Sequence, residues 1–292
     1  MVIGRFAPSP TGLLHFGSLI AATASYLDAK TRQGQWLIRI EDLDPPREQI
    51  GATKDILQTL EAFGFEWGAD IMYQSDRHEA YEAALAQLKH QGLVYRCTCS
   101  RKEIADSARQ GIDGVVYPGT CRHAQHQSGA WRVLTNAEAI SFDDAIQGRQ
   151  QQNLSRDLGD FVLKRADGLY AYQLAVVVDD AEQGITHIVR GADLLSSTPR
   201  QIYLQRLLKL PTPNYAHVPI VLNAQGEKLS KQTLAQPLNA KNPVPTLWQA
   251  LDFLGQHPPT ALRDESLETL WDWAKTHWAL AFIQARQAYL PI

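Results

Sequence analysis

A chain of 292 residues makes one large or two ordinary domains. Its 28 Lys+Arg against 31 Asp+Glu leave a net charge of −3, which excludes a uniformly basic nucleic-acid coat but not a local basic groove. No apolar run approaches about 18 residues, Met1 to Arg5 does not begin a secretory signal, and three cysteines suit a reducing compartment, so the expectation is a cytoplasmic protein without membrane contact.

The first third alternates strand and helix signals. Val2 to Ala7 is an apolar run that ends in the turn cluster Pro8-Ser9-Pro10-Thr11-Gly12. Phe16 to Gln33 carries Leu19, Ile20, Thr23, Ala24 and Leu27 at helical spacing, with Gly34 just beyond. Trp36 to Ile40 follows as a buried strand, and strand, helix and strand at this crossover length imply a parallel sheet with a site at its carboxyl edge. A second helix bears Ile56, Leu57, Leu60 and Phe63 and stops at Gly64. A third is expected to start at Asp76, with Glu79 completing a capping box, and to bury Tyr81, Leu85 and Leu88 before Gly92.

Between Val94 and about Ser155 cysteines and short polar pieces replace the long periodic segments, which reads as an insertion. The α/β pattern resumes at Phe161 to Lys164. Ala175 to Val178 and Ile185 to Val189 read as strands, Asp179-Asp180 as a strand-end turn outside the site, and Thr198 to Leu208 as a helix with Pro199 in its first turn. A strand from His217 to Leu222 leads into a polar loop, Asn223 to Leu234, and the chain is helical from Pro243 onward. Trp271, Trp273 and Trp278 are expected to pack these last helices. The fold class is therefore α/β. A Rossmann-type parallel-sheet catalytic domain (1–93 and 156–235) carries an inserted, zinc-bearing subdomain (94–155) and a short C-terminal helical region (236–292).

Two segments carry the chemistry of a phosphate. His15-Phe16-Gly17-Ser18 lies where the first strand turns into the first helix, whose free N–H groups and positive dipole end suit an anion. Gly17 lets a base or ribose lie against the backbone, and His15 can donate to developing charge. Lys228-Leu229-Ser230-Lys231, some two hundred residues later, can neutralise a triphosphate.

In this order the two segments resemble the ATP motifs of class I aminoacyl-tRNA synthetases. Arg5 to Gly12, Arg39-Ile40-Glu41-Asp42-Leu43-Asp44 and Arg190-Gly191-Ala192-Asp193-Leu194 extend the likeness, over about residues 3 to 235, to the catalytic core of glutamyl-tRNA synthetases. Ser18 and Gln232 depart from the general motifs at their last positions. The resemblance implies ATP with Mg2+ at His15, Gly17, Lys228 and Lys231, and L-glutamate at Arg5, Phe6, Ala7, Pro8, Ser9, Glu41, Tyr172 and Arg190. The chemistry agrees. Glutamate offers two carboxylates and one ammonium; Arg5 and Arg190 can fork to carboxylates, Glu41 can take the ammonium, and Tyr172 supplies a directional hydroxyl. The bland alternative makes Arg39, Glu41, Asp42, Asp44 and Arg47 a surface ion network.

Cys97, Cys99 and Cys121 are all the cysteines of the chain and suggest a structural zinc. On ligand softness the fourth donor would be His123 or His126. The resemblance points instead to Tyr117, because one branch of the family carries Cys-x-Cys and Tyr-x3-Cys with the tyrosine as ligand. The same branch lacks the usual anticodon-binding region, and only 58 residues follow Leu234 here. Its members place glutamate on the queuosine of tRNA(Asp). The implied protein is a ligase, expected as a monomer, that forms glutamyl-adenylate from ATP and glutamate and passes glutamate to that nucleoside. The alternatives are a shortened glutamyl-tRNA synthetase charging a 3′ end and a catalytically silent tRNA- or amino-acid-binding regulator.

Overall fold

The structure is a computed structural model that describes residues 1–107, 110–111, 114–222, 226 and 236–289. In chain order the first elements are β1 (Ile3–Phe6), α1 (Phe16–Lys30), β2 (Gln35–Ile40), α2 (Ala52–Ala62), β3 (Met72–Tyr73) and α3 (His78–His90). The middle of the chain holds β4 (Val94–Cys97), α4 (Arg101–Ser107), β5 (Gln110–Gly111), β6 (Gly114–Val115), β7 (Ala130–Val133), β8 (Ala139–Asp144), β9 (Gly148–Asn153), α5 (Leu154–Asp157) and β10 (Val162–Lys164). After it come α6 (Tyr172–Glu182), β11 (His187–Gly191), α7 (Thr198–Leu208), β12 (Asn214–Val218), β13 (Ile220–Val221), α8 (Pro243–Phe253), α9 (Leu267–His277) and β14 (Ala288–Tyr289).

β1, β2 and β3 pair in parallel, as do β11 and β12. The two groups meet where the Thr186 N–H donates to the Ile3 carbonyl at 2.9 Å, immediately before β11. Strand alternation then sorts the side chains. Trp36, Ile38 and Ile40 join a core with α1, α2, α8 and α9, while Leu37 joins one with α3, α6 and α7. Helices therefore cover both faces of a parallel sheet, as the βαβ pattern requires. Arg5 and Arg39 share the face that looks toward α6, since both ion-pair with Asp180 on that helix.

Three expectations fail here, the first at the end of the chain, where the region read as helical from Pro243 onward closes with the strand β14 on β13. Ala175 to Val178 is not a strand but the middle of α6, buried between sheet and neighbouring helices. A short wholly apolar run has no period to separate the two states, and Leu174 and Tyr172 ahead of it supply the helical start. The capping box at Asp76 and Glu79 is also absent. Gln74–Arg77 form a 3-10 turn, α3 begins at His78, and no side chain caps it.

The middle of the chain divides among three sheets, the smallest being the antiparallel pair β5–β6. β4, β7 and β10 make a small antiparallel sheet, whereas the β8–β9 hairpin attaches to the main sheet through Tyr215 of β12 opposite Asp144. The C-terminal helices seal α1: Tyr26, Trp36, Phe65 and Trp271 form one aromatic cluster, and the Trp271 indole donates to the Phe63 carbonyl at 2.8 Å. Trp273 and Trp278 pack against the same core. Among the described residues no helix is long and apolar enough to cross a membrane.

Candidate active site

A cavity of about 590 Å³ opens at the carboxyl edge of the parallel sheet, lined by Arg5 to Ala7 and Ser9 after β1, Glu41 after β2, Tyr172 at the start of α6, and Arg190 in β11. Open α/β sheets place ligands at this edge because strand ends and helix starts converge there. The turn is tied down by main-chain bonds. Glu41 N–H donates to the Pro8 carbonyl at 3.0 Å and Thr11 N–H to the Ser9 carbonyl at 2.8 Å, while buried Phe6 stacks on Trp36 on the opposite face of the sheet.

The floor is a buried charge cluster. Arg5 gives Nε and Nη2 to Asp180 (3.1 and 3.4 Å), and Arg39 gives Nη1 to the same carboxylate (2.7 Å) and Nη2 to Glu41 (3.3 Å). Burial alone would raise the Asp180 pKa; Arg39 and Arg5 outweigh it and hold the group below its ordinary value. Burial does raise Glu41, although Arg39 and Arg5 oppose it. With Nε and Nη2 on Asp180, Arg5 has Nη1 left, and Glu41 lines the same cavity.

Arg190 forms the second cationic corner. Nε donates to His217 Nε2 at 3.0 Å, Nη2 to Thr198 Oγ1 and Gln201 Oε1 at 2.9 and 2.8 Å, and Nη1 to Tyr172 Oη at 3.3 Å. A guanidinium has five N–H bonds, so one on Nη1 remains. Tyr172 accepts from Arg190 and so keeps its own proton to donate. The two groups together offer a two-pronged donor that fits one carboxylate. Burial raises the Tyr172 pKa against the opposing charge of Arg190, which keeps the phenol protonated.

His15 is the residue before α1, which begins Phe16-Gly17-Ser18, and it pairs in antiparallel fashion with Pro237, while Leu238 N–H donates to the Leu14 carbonyl at 3.0 Å. The chain beyond the lysine motif is thereby joined to the first motif. Lys228 and Lys231 themselves, with Gln232, lie outside the described residues.

The three cysteines converge, all their sulfurs lying within 4.8 Å of one another in an arrangement able to hold a metal ion. Cys99 Sγ is 3.4 Å from Cys121 Sγ; the Tyr117 hydroxyl lies 3.3 Å from Cys97 Sγ and 3.8 Å from Cys99 Sγ, and accepts from Cys121 N–H at 3.0 Å. Two glycines permit this approach. A Cβ on Gly129, at φ +106°, would sit 2.4 Å from the Cys97 carbonyl, and one on Gly159, at φ +73°, 2.4 Å from that of Tyr117. His126 Nε2 reaches Thr98 Oγ1 at 3.4 Å, whereas the hydroxyl among the sulfurs is that of Tyr117. None of these residues lines the cavity.

Sequence reasoning missed part of the site. The sequence pattern puts Asp180 in a turn, yet it neutralises both Arg5 and Arg39; its neighbour Asp179 accepts from Gln74 and Tyr81, each at 2.7 Å. The signal was available: an arginine inside the apolar strand Trp36-Leu37-Ile38-Arg39-Ile40 demands a buried anion. The surface-network alternative holds only for its outer half, since Arg39 is fully buried while the Asp44–Arg47 pair is exposed. The pair Asp144 and His217 behind Arg190 carried no sequence signal.

A parallel sheet with this cavity at its edge and a histidine motif before the first helix defines a class I synthetase catalytic domain, and the comparisons agree. Residues 1–243 match the family described as tRNA synthetases class I (E and Q), catalytic domain. The fold is similar to that of the glutamate-tRNA synthetase from Elizabethkingia anophelis, with a TM-score of 0.78 at 22% identity over 99% of this chain and 68% of that one. Among curated proteins, the glutamyl-Q tRNA(Asp) synthetase of Chromobacterium violaceum is 55% identical over 99% of this chain and 97% of its own length. That of Dechloromonas aromatica is 59% identical over 94% and 93%. The chain belongs to the class I tRNA synthetases of the glutamate and glutamine type and, within them, to the glutamyl-Q tRNA(Asp) synthetase family.

Proposed function

We propose that the protein is a ligase that activates L-glutamate with ATP and transfers it to the queuosine of tRNA(Asp). The observation that carries the glutamate assignment is the charge layout of the cavity: Arg190 with Tyr172 at one corner, Arg5 at another, and the Glu41 carboxylate, held by Arg39, in the same lining. The acceptor assignment rests on the full-length likeness to glutamyl-Q tRNA(Asp) synthetases.

In the first step an oxygen of the glutamate α-carboxylate attacks the α-phosphorus of ATP and pyrophosphate leaves. In the second a hydroxyl of the queuosine cyclopentene diol attacks the activated carbonyl, forming an ester and releasing AMP. Arg190 and Tyr172 bind the side-chain carboxylate, Arg5 an oxygen of the α-carboxylate, Glu41 the ammonium, and the turn from Phe6 to Ser9 shapes the cavity. His15 and Gly17 receive ATP, with Mg2+ on the phosphates, and the lysines of the second motif, Lys228 and Lys231, neutralise its charge. Rate acceleration comes from positioning and charge neutralisation, without a nucleophilic side chain.

The cysteine cluster fits zinc. Ligands around tetrahedral zinc at about 2.3 Å stand roughly 3.8 Å apart, and Cys99 and Cys121 at 3.4 Å with Cys99 and Tyr117 at 3.8 Å are close to that spacing. Cys97, Cys99, Tyr117 and Cys121 would hold the ion, and their shared coordination would cross-link the inserted segment. The protein works in the cytoplasm as a monomer.

Glutamate-dependent pyrophosphate exchange without tRNA, followed by glutamate transfer to tRNA(Asp) that contains queuosine and not to the same tRNA lacking it, tests the reading. Equal labelling of both tRNAs refutes the acceptor, and absence of exchange refutes the enzyme.

A further inference from the structure

Arg190 is held in part by groups that do not line the cavity. Its Nε–H meets His217 Nε2 at 3.0 Å. A guanidinium can only donate, so Nε2 accepts and the ring proton sits on Nδ1. Nδ1 faces Asp144 Oδ2 at 2.5 Å, and both side chains are fully buried. Asp144 is in turn fixed by its other oxygen, Oδ1, which accepts from the backbone N–H groups of Ile146 (3.0 Å), Gln147 (2.8 Å) and His217 (3.1 Å). Burial holds the imidazole neutral, with its pKa pulled down to about 4 against the pull of Asp144.

We infer that Asp144 and His217 are positioning residues for the amino acid: they fix the ring tautomer that lets Arg190 turn its remaining Nη1–H, with the Tyr172 hydroxyl, toward the substrate carboxylate. The opposite tautomer would put an N–H on Nε2 against the Nε–H of Arg190, and the guanidinium would have to rotate away. The β8–β9 hairpin thereby acquires a task, since its Tyr215–Asp144 bridge to β12 sets the carboxylate beside His217. The inference rests on the reading of Arg190 as a glutamate ligand.

Asp144→Asn separates the two ideas. The three backbone donors retain the amide oxygen, so the amide nitrogen takes the place of Oδ2 and donates to Nδ1, moving the ring proton to Nε2. In pyrophosphate exchange the KM for glutamate should rise roughly ten- to hundredfold, the range of a lost hydrogen bond to a charged group, while the KM for ATP stays unchanged. 15N spectra of labelled histidine should report the shifted tautomer. His217→Gln, which can return an acceptor at the Nε2 position, should restore glutamate affinity relative to His217→Leu, and this pair decides the matter if Asp144→Asn does not fold. An unchanged KM for glutamate in Asp144→Asn, or equal values for His217→Gln and His217→Leu, overturns the inference. Wild-type protein without glutamate-dependent exchange would instead overturn the enzyme reading itself.

Discussion

Asp180 is the counter-charge on which the cavity floor depends, and Asp180→Asn tests that directly. Its carboxylate is 4% exposed and accepts from Arg39 at 2.7 Å and from Arg5 at 3.1 and 3.4 Å. Asparagine keeps one acceptor oxygen but turns an N–H₂ toward a guanidinium, and two buried cations lose their shared anion. Breaking one side of a buried ion pair costs about 3–5 kcal/mol. Glu41 still faces Arg39 at 3.3 Å and softens the loss, which places the expectation near the lower end, about 3 kcal/mol. With an m-value of about 3 kcal/mol/M, the urea midpoint should fall by about 1 M at unchanged m.

The pH dependence has a definite sign. The folded-state pKa of Asp180 lies below its ordinary value, because Arg39 and Arg5 outweigh burial. Its contribution is therefore complete above the unfolded pKa of about 3.9 and is lost as the pH falls through the folded one. The gap between wild type and Asp180→Asn should be constant near neutrality and shrink in acid. A midpoint within about 0.3 M of wild type at neutral pH, or a gap that widens in acid, would refute the account.

Three further outcomes are expected. Cys99→Ser should abolish stoichiometric zinc measured by atomic absorption, and His123→Ala should leave it, whereas Tyr117→Phe should weaken binding; full zinc in Cys99→Ser rejects the proposed ligands. Trp271→Ala should destabilise the protein by about 3–5 kcal/mol in urea unfolding, because it removes the ring that packs on Tyr26 and Phe65 and donates to Phe63. Lys231→Ala should eliminate adenylate formation while calorimetric glutamate binding persists; loss of both would move Lys231 into the amino-acid pocket.

What the sequence reveals and what it hides divide along a physical line. The β1–α1–β2 unit is legible because its strand is apolar, its helix periodic and its turn rich in proline and glycine. The cavity residues Arg5, Glu41, Tyr172 and Arg190 become legible through the family resemblance, since the strings around them are long. Ala175 to Val178 is illegible because a segment buried on all sides has no polar face to reveal its period. The error propagates: with α6 taken for a strand, Asp179 and Asp180 fall in a turn and lose their partners. Arg5 and Asp180 are 175 residues apart, and no local pattern links them. The same holds for Asp144 and His217, which meet only through the register of β8 on β12.

The parallel pairing of β13 with β14, Ile220 to Ala288 and Val221 to Tyr289, bears on how the molecule is made. The strand that leads into the second lysine motif finds its partner only when the chain about 70 residues further on has been synthesised, several seconds later at roughly 5–20 residues per second. The helices α8 and α9 that pack on α1 belong to the same last stretch of the chain. Completion of the β13–β14 pair that leads into the lysine motif is thus a late event in the life of the nascent chain.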